Sequence, residues 1–225
     1  MGKRLFLLPG FGEDERCFDE LEQLISGYEK IHIDYRPVLN KFIFPLITVQ
    51  QFARQLIKHY GIHPGDKLVG HSMGGFFSFQ IRELIGCDIC LIGSFSDPEK
   101  VFHTVPQVPR ITQIAALTGI IKTAALKKYL LGKIKNEHIK NVQAGVMDNF
   151  HTFTNTQLAL MSEMIYAPKI PSKLPNPLRI HDKRDRIVRP PDEPYIQMEG
   201  GHFCLNLYPQ ETLNSMKHFL YETYL

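Results

Sequence analysis

The stretch Gly70-His71-Ser72-Met73-Gly74-Gly75 decides how the rest of this sequence is read. Ahead of it, Asp66-Lys67-Leu68-Val69 is short and partly apolar, the character of a segment that completes a buried strand. Behind it, residues 76–85 (Phe-Phe-Ser-Phe-Gln-Ile-Arg-Glu-Leu-Ile) read as a helix. A G-x-S-x-G therefore falls on a strand-to-helix turn. Such a turn is too tight for side chains at its flanks, so Gly70 and Gly74 are required. It holds the Ser72 hydroxyl out at the strand end, where the helix N-terminus aims backbone donors. Alone, the pattern arises by chance in on the order of one chain in ten of this length. Its meaning depends on a base, an acid and an oxyanion loop elsewhere, in the right chain order.

The length of 225 residues suits one domain with room for a modest insertion. Hydrophobic residues make up 44% and charged residues 22%, as in an ordinary globular protein. A net charge of +3 is too mild to imply a nucleic-acid partner, and no RNA- or DNA-binding signature is found. Leu5-Phe6-Leu7-Leu8 ends at Pro9, too short a run for a signal peptide core or a membrane span. It reads as a first buried strand, and a cytoplasmic location is expected. Four cysteines occur, at 17, 87, 90 and 204. Cys87-Asp88-Ile89-Cys90 has no second ligand pair and enters a predicted strand, so it is read as small buried hydrophobes. No disulfide framework is expected, and no metal or organic cofactor is called for.

Elsewhere the pattern alternates. Strands are predicted over residues 3–8, 30–35, 67–71 and 88–93. A helix capped by Asp14 runs to 26, one capped by Thr48 runs to 60, and one covers 73–85, with a loop at 36–45. This order implies a parallel sheet covered on both faces. From 99 to 175 no strand is evident. Helical patterns cover 111–131, 137–147 and 156–166, with breaks at Gly119 and Gly132, and a proline-rich connector follows at 168–177. Strands resume at 177–181 and 195–198, and a helix over 209–225 closes the chain.

In open parallel sheets, sites form at the carboxyl ends of the strands. Strand one ends at Gly10-Phe11-Gly12, strand three at Ser72, strand five at a loop holding Asp185, and strand six at His202. A hydroxyl needs a base to attack, a base needs an orienting acid, and a tetrahedral oxyanion needs converging donors. Ser72, His202 and Asp185 fill the first three roles. The N–H groups of Phe11 and Met73 are the oxyanion candidates.

The residues Pro9-Gly10-Phe11-Gly12, Gly70-His71-Ser72-Met73-Gly74-Gly75, His181 through Asp185 to Ile187-Val188, and Gly200-Gly201-His202-Phe203 resemble the motif set of α/β-hydrolase-fold serine hydrolases. The resemblance implies an α/β fold with a mostly parallel sheet of about six strands, helices on both faces and a helical cap. The core would take residues 1–97 and 176–225, and the cap 98–175. It implies hydrolysis of an ester or thioester through a Ser72 acyl-enzyme. A carbon–carbon bond hydrolase and a non-catalytic binding protein of the same fold are the alternatives. The sequence departs from the pattern by starting directly at the strand of the oxyanion loop, by Pro9 where a histidine is common, and by Asp182 where a glycine is usual.

Other polar residues are weighed against plainer roles. Asp97, after strand four, is the alternative acid; Asp182 lies too close to its strand end. His71 is read as a packing and hydrogen-bonding residue pointing away from Ser72, and His181 as structural. Glu13 and Asp14 are read as solvated acids at a helix start. Phe11, Phe95 and Phe203 favour an apolar acyl substrate. Between Arg110 and Met147 there are seven basic residues and one acid, Glu137, among apolar side chains such as Ile114, Ile120 and Leu130. This is read as an amphipathic lid with a solvated basic face. A sharper reading has that face dock an acidic acyl carrier protein or a membrane surface.

Overall fold

The computed structural model describes residues 2–101, 109–169 and 171–221, without the side chains of 109 and 110. The Arg110 side chain of the basic face, Ile170 of the connector and residues 222–225 of the closing helix lie outside what is described.

The strands β1 (Arg4–Leu8), β2 (Glu29–His32), β3 (Lys67–His71), β4 (Asp88–Ile92), β5 (Leu178–His181) and β6 (Ile196–Gln197) form one six-stranded sheet in the order β2-β1-β3-β4-β5-β6. Every neighbouring pair is parallel. Alternation along the strands sorts their side chains to opposite faces. Phe6, Leu8, Leu68, Ile89 and Leu91 go to one core cluster. Leu5, Leu7, Val69, Cys90, Ile92 and Ile180 go to the other. Both faces are apolar because helices cover both.

The first cluster packs under α2 (Arg36–Leu39), α3 (Val49–Tyr60) and α4 (Met73–Ile85). α3 begins as the sequence predicts: Thr48 accepts from the Gln51 N–H, and the Gln51 side chain accepts from the Thr48 N–H, closing a capping box. Residues 36–45 are not all loop, because Arg36–Leu39 makes a helical turn with Pro37 in its first positions, where a missing N–H costs nothing. Tyr35, Phe52 and Phe77 pack ring to ring, with centroids 4.9–5.9 Å apart. The Tyr35 hydroxyl donates to the Pro9 carbonyl at 2.8 Å, so this aromatic cluster also anchors the chain leaving β1.

The second cluster lies under α1 (Asp19–Leu24), α9 (Cys204–Leu207) and α10 (Pro209–Tyr221). The helix expected from Asp14 to 26 is shorter. Asp14 caps a 3-10 turn, Glu15–Phe18, and α1 ends before Ile25, which is already extended. Strand two is Glu29–His32, not 30–35, and strand six keeps only two residues. The four cysteines are free, and burial pushes the Cys87 thiol up to about 12.

Between β4 and β5 the described chain is helical: α5 (Pro109–Leu117), α6 (Ala124–Leu131), α7 (Glu137–Asn149) and α8 (Asn155–Ile165). Gly119 breaks the first pattern with φ +76°, in the left-handed region that glycine tolerates. α8 opens with a second capping box at Thr154 and buries Leu158, Leu160, Met161 and Met164 in the same cluster as Phe52 and Phe77. Ile111, Ile114, Leu117, Ile120, Tyr129 and Leu130 are exposed along α5, the 3-10 turn at Ile120–Lys122 and α6. Part of the basic charge there is spent internally, since Lys127 pairs with Asp148 and Lys140 with Glu137. No described helix is long and apolar enough to cross a membrane.

Phe52 is fully buried at the centre of the aromatic cluster. Replacing it with alanine removes that contact and leaves a cavity, so Phe52→Ala should lower unfolding free energy by about 3–5 kcal/mol in urea titration. A loss under about 1 kcal/mol would contradict the packing described.

Candidate active site

The site is built at the carboxyl ends of β1, β3, β5 and β6. Ser72 sits between β3 and α4 with φ 51° and ψ −122°, the one described non-glycine residue with positive φ. Such backbone costs on the order of 1–3 kcal/mol and persists only where its surroundings enforce it. Here they do. A Cβ on Gly70 would overlap Gly75, and one on Gly74 would overlap the Leu8 carbonyl. Ser72 N–H donates to Ile92 O at 3.0 Å, and Ser94 Oγ donates to Ser72 O at 2.6 Å. Ser94 gave no signal in the sequence.

His202 follows Gly200 and Gly201, both at positive φ. Its Nε2 lies 2.9 Å from Ser72 Oγ. Its Nδ1 lies 2.8 Å from Asp185 Oδ2. The other Asp185 oxygen accepts the N–H groups of Ile187 at 2.7 Å and Val188 at 3.0 Å. Burial pushes the Asp185 carboxyl up, but the His202 ring and those two N–H groups outweigh it and hold the carboxyl below its usual range. Ser72 is 9% exposed, His202 7% and Asp185 3%, so the hydrogen-bonded chain is shielded from water.

Gly10 packs against Ser72: a Cβ there would lie 3.1 Å from the Ser72 Cβ. This brings the loop of Phe11 beside the Ser72 turn. Met73 is the first residue of α4, so its N–H has no acceptor within the helix. The loop is held by the end of α7 and the residue that follows it. Asn149 Nδ2 donates to Gly12 O at 2.9 Å, and Phe150 lies edge-on to Phe11 with centroids 5.6 Å apart. A side chain at Gly12 would overlap the Phe150 ring. Asn149 and Phe150 could not be singled out from sequence, because the placement of the helices between β4 and β5 has no local pattern.

Asp97 is not near His202 by any contact. It caps the turn at Pro98–Lys100 and pairs with Lys169 at 2.9 Å. His71 is fully buried and bonds away from Ser72. His181 donates from Nε2 to Val188 O at 3.1 Å and is kept neutral chiefly by burial. Phe95 stacks on Phe76 in the core, whereas Phe203 backs the rings of both His71 and His202. Phe11 alone of the three keeps partial exposure.

Glu13 is a correction. The expectation was a solvated acid, but it is 6% exposed, with its carboxylate 2.7 Å from His71 Nδ1 and 2.6 Å from Gly10 N. Its partner is 58 residues away in sequence, so only its place directly after the glycine loop hinted at it.

Among the described residues no group of His, Cys, Asp or Glu has the arrangement to hold a metal ion.

No protein-family model matches this chain, and no curated protein matches it. Solved structures do. An enol-lactonase from Burkholderia xenovorans LB400 aligns with TM-score 0.73 at 16% identity, over 96% of this chain and 92% of that one. A thermophilic esterase from Thermogutta terrifontis aligns with TM-score 0.71 at 16% identity, over 98% and 90%. A hydrolase from Oleispira antarctica aligns with TM-score 0.69 at 14% identity, over 99% and 92%. The chain has the α/β-hydrolase fold.

Asp182 braces the site from below. It accepts the N–H groups of Arg184 and Gly201, each at 2.8 Å, tying the loop of Asp185 to the turn of His202. Burial opposes its charge, but these bonds and the Arg184 side chain take its pKa from 3.8 to about 2. A depressed carboxyl pKa stabilises the fold above the unfolded value and loses that contribution as pH falls through the folded one. Thermal unfolding should therefore show wild type losing more stability than Asp182→Asn between pH 3.8 and about 2. Parallel pH curves for the two proteins would contradict this.

Proposed function

We propose that this protein is a serine hydrolase acting on an ester or thioester with an apolar acyl group. The observation that carries the reading is the unbroken chain from Ser72 Oγ through His202 to Asp185, at 2.9 and 2.8 Å. Ser72 Oγ attacks the substrate carbonyl while His202 Nε2 takes its proton. The Phe11 and Met73 N–H groups receive the oxyanion. His202 returns the proton to the departing alcohol or thiol, which leaves an acyl-enzyme. Water, deprotonated by the same nitrogen, then releases the acid and frees Ser72. Asp185 holds the Nδ1–H tautomer and stabilises the imidazolium that forms twice per cycle.

The helices between β4 and β5 act as the cap over this centre, a role supported by the contacts of Asn149 and Phe150 with the Gly10–Gly12 loop. The Phe11 and Phe150 rings offer an apolar wall, which suits an acyl chain better than a sugar. Similarity to an esterase and an enol-lactonase, both acting on ester linkages, favours ester over carbon–carbon cleavage.

On p-nitrophenyl esters, Ser72→Ala should lose at least about 10³-fold in kcat, and Asp185→Asn on the order of 10⁴-fold. Unchanged turnover in Ser72→Ala would refute the nucleophile assignment. Along the same ester series, kcat/KM should be higher for acyl chains of about four or more carbons than for acetate. A preference for acetate would contradict the apolar acyl pocket.

A further inference from the structure

The mechanism leaves unused a buried Glu–His pair beneath the triad. His71 is the last residue of β3, adjacent to Ser72, and is fully buried. Its Nδ1 lies 2.7 Å from Glu13 Oε2, and its Nε2 lies 2.9 Å from the backbone oxygen of His202. The same Glu13 oxygen accepts the Gly10 N–H at 2.6 Å. One pair thus touches the oxyanion loop, the nucleophile strand and the loop of the triad histidine.

We propose that Glu13 and His71 form a buried ion pair that positions the catalytic centre, clamping the Gly10–Phe11 loop and the His202 loop to the strand that carries Ser72. The kinetic part of this proposal rests on the hydrolase reading above.

The geometry fixes one proton and narrows the other to two arrangements. A carbonyl oxygen can only accept, so His71 Nε2 carries a hydrogen. An ionised Glu13 can also only accept, so Nδ1 carries one too, and the ring is an imidazolium. The competing arrangement has the proton on Glu13 and a bare Nδ1. Burial disfavours charge on both groups, yet each outweighs it for the other: His71 holds the Glu13 carboxyl below its usual range, and Glu13 holds the His71 ring above its own. The other titratable groups acting on the pair are His202, Asp185, Cys17 and Tyr35. Burial, reinforced by Glu13, raises the Cys17 thiol and the Tyr35 phenol well above their usual values, so both stay neutral.

The pairing also has an electrostatic consequence. The rings of His71 and His202 are 5.0 Å apart. His202 becomes a cation during each half-reaction, and a lone positive charge at that distance would oppose it. Glu13 cancels the charge while letting His71 keep both of its hydrogen bonds. Without the carboxylate, an imidazolium at His71 would stand uncompensated against His202, and a neutral ring would have to turn Nδ1 from donor to acceptor.

Histidine ¹⁵N chemical shifts, with the His71 signals assigned by comparison with His71→Gln, test the ion pair without any substrate. Both His71 nitrogens of the wild type should be protonated at neutral pH, above the ordinary imidazole value. In Glu13→Gln the ring should be neutral at the same pH. Glu13→Gln should also lower kcat by about 10- to 100-fold with KM little changed, as for other groups that act by orienting a reacting residue. A bare nitrogen on wild-type His71 at neutral pH would overturn the proposal, and so would an unaltered kcat in Glu13→Gln. Failure of the hydrolase reading looks different: wild type would turn over no ester, while the nitrogen shifts would still report whether the ion pair exists.

Discussion

Everything at this site depends on one backbone constraint, the left-handed turn at Ser72. The chain leaves a buried parallel strand and enters a buried helix with no room between them. Gly70 and Gly74 are the positions where the two elements and β1 meet without side chains. A serine forced to φ 51° cannot relax into the helix and so points its hydroxyl toward the crevice above the sheet. The cost of that conformation is met by the sheet and helix packing on either side, which is why Ser72 is carried by the most thoroughly buried strand–helix unit of the protein. A hydroxyl held on a rigid turn needs its partners delivered to it, and the adjoining parallel strands end where those partners must stand.

Delivery is the work of polar contacts that reach across the sequence. Asp182 joins the Asp185 loop to the His202 turn, Ser94 holds the Ser72 carbonyl, and Tyr35 holds the chain at Pro9. Each of these groups is buried and satisfied, so each is costly to displace. The site is therefore preorganised by the core rather than by the loops themselves, and electrostatic stabilisation of a developing oxyanion benefits from such rigidity.

Much of this was legible because it is written locally. Continuous apolar runs in Leu5–Leu8 and Ile89–Ile92 announce strands buried on both faces, and Thr48 with Gln51 announces a helix start. The strand-end positions of Ser72, Asp185 and His202 follow from that pattern, since a parallel sheet puts all its carboxyl ends together. What was not legible depends on distant partners. Glu13 looks like a surface acid until β3 brings His71 beneath it. Phe150 gains its role only from where the helices after β4 settle against Gly12. The short α2, the 3-10 opening before α1 and the α9 turn are set by tertiary packing that overrides weak local preference.

The central claim is that Ser72 is a nucleophile activated by His202. The most direct measurement is reaction with a fluorophosphonate followed by peptide mapping of the adduct. A single phosphonyl adduct on Ser72 in the wild type, absent when His202 is replaced by alanine, is the result this account predicts. No adduct on the wild type, or one on another residue, would contradict it.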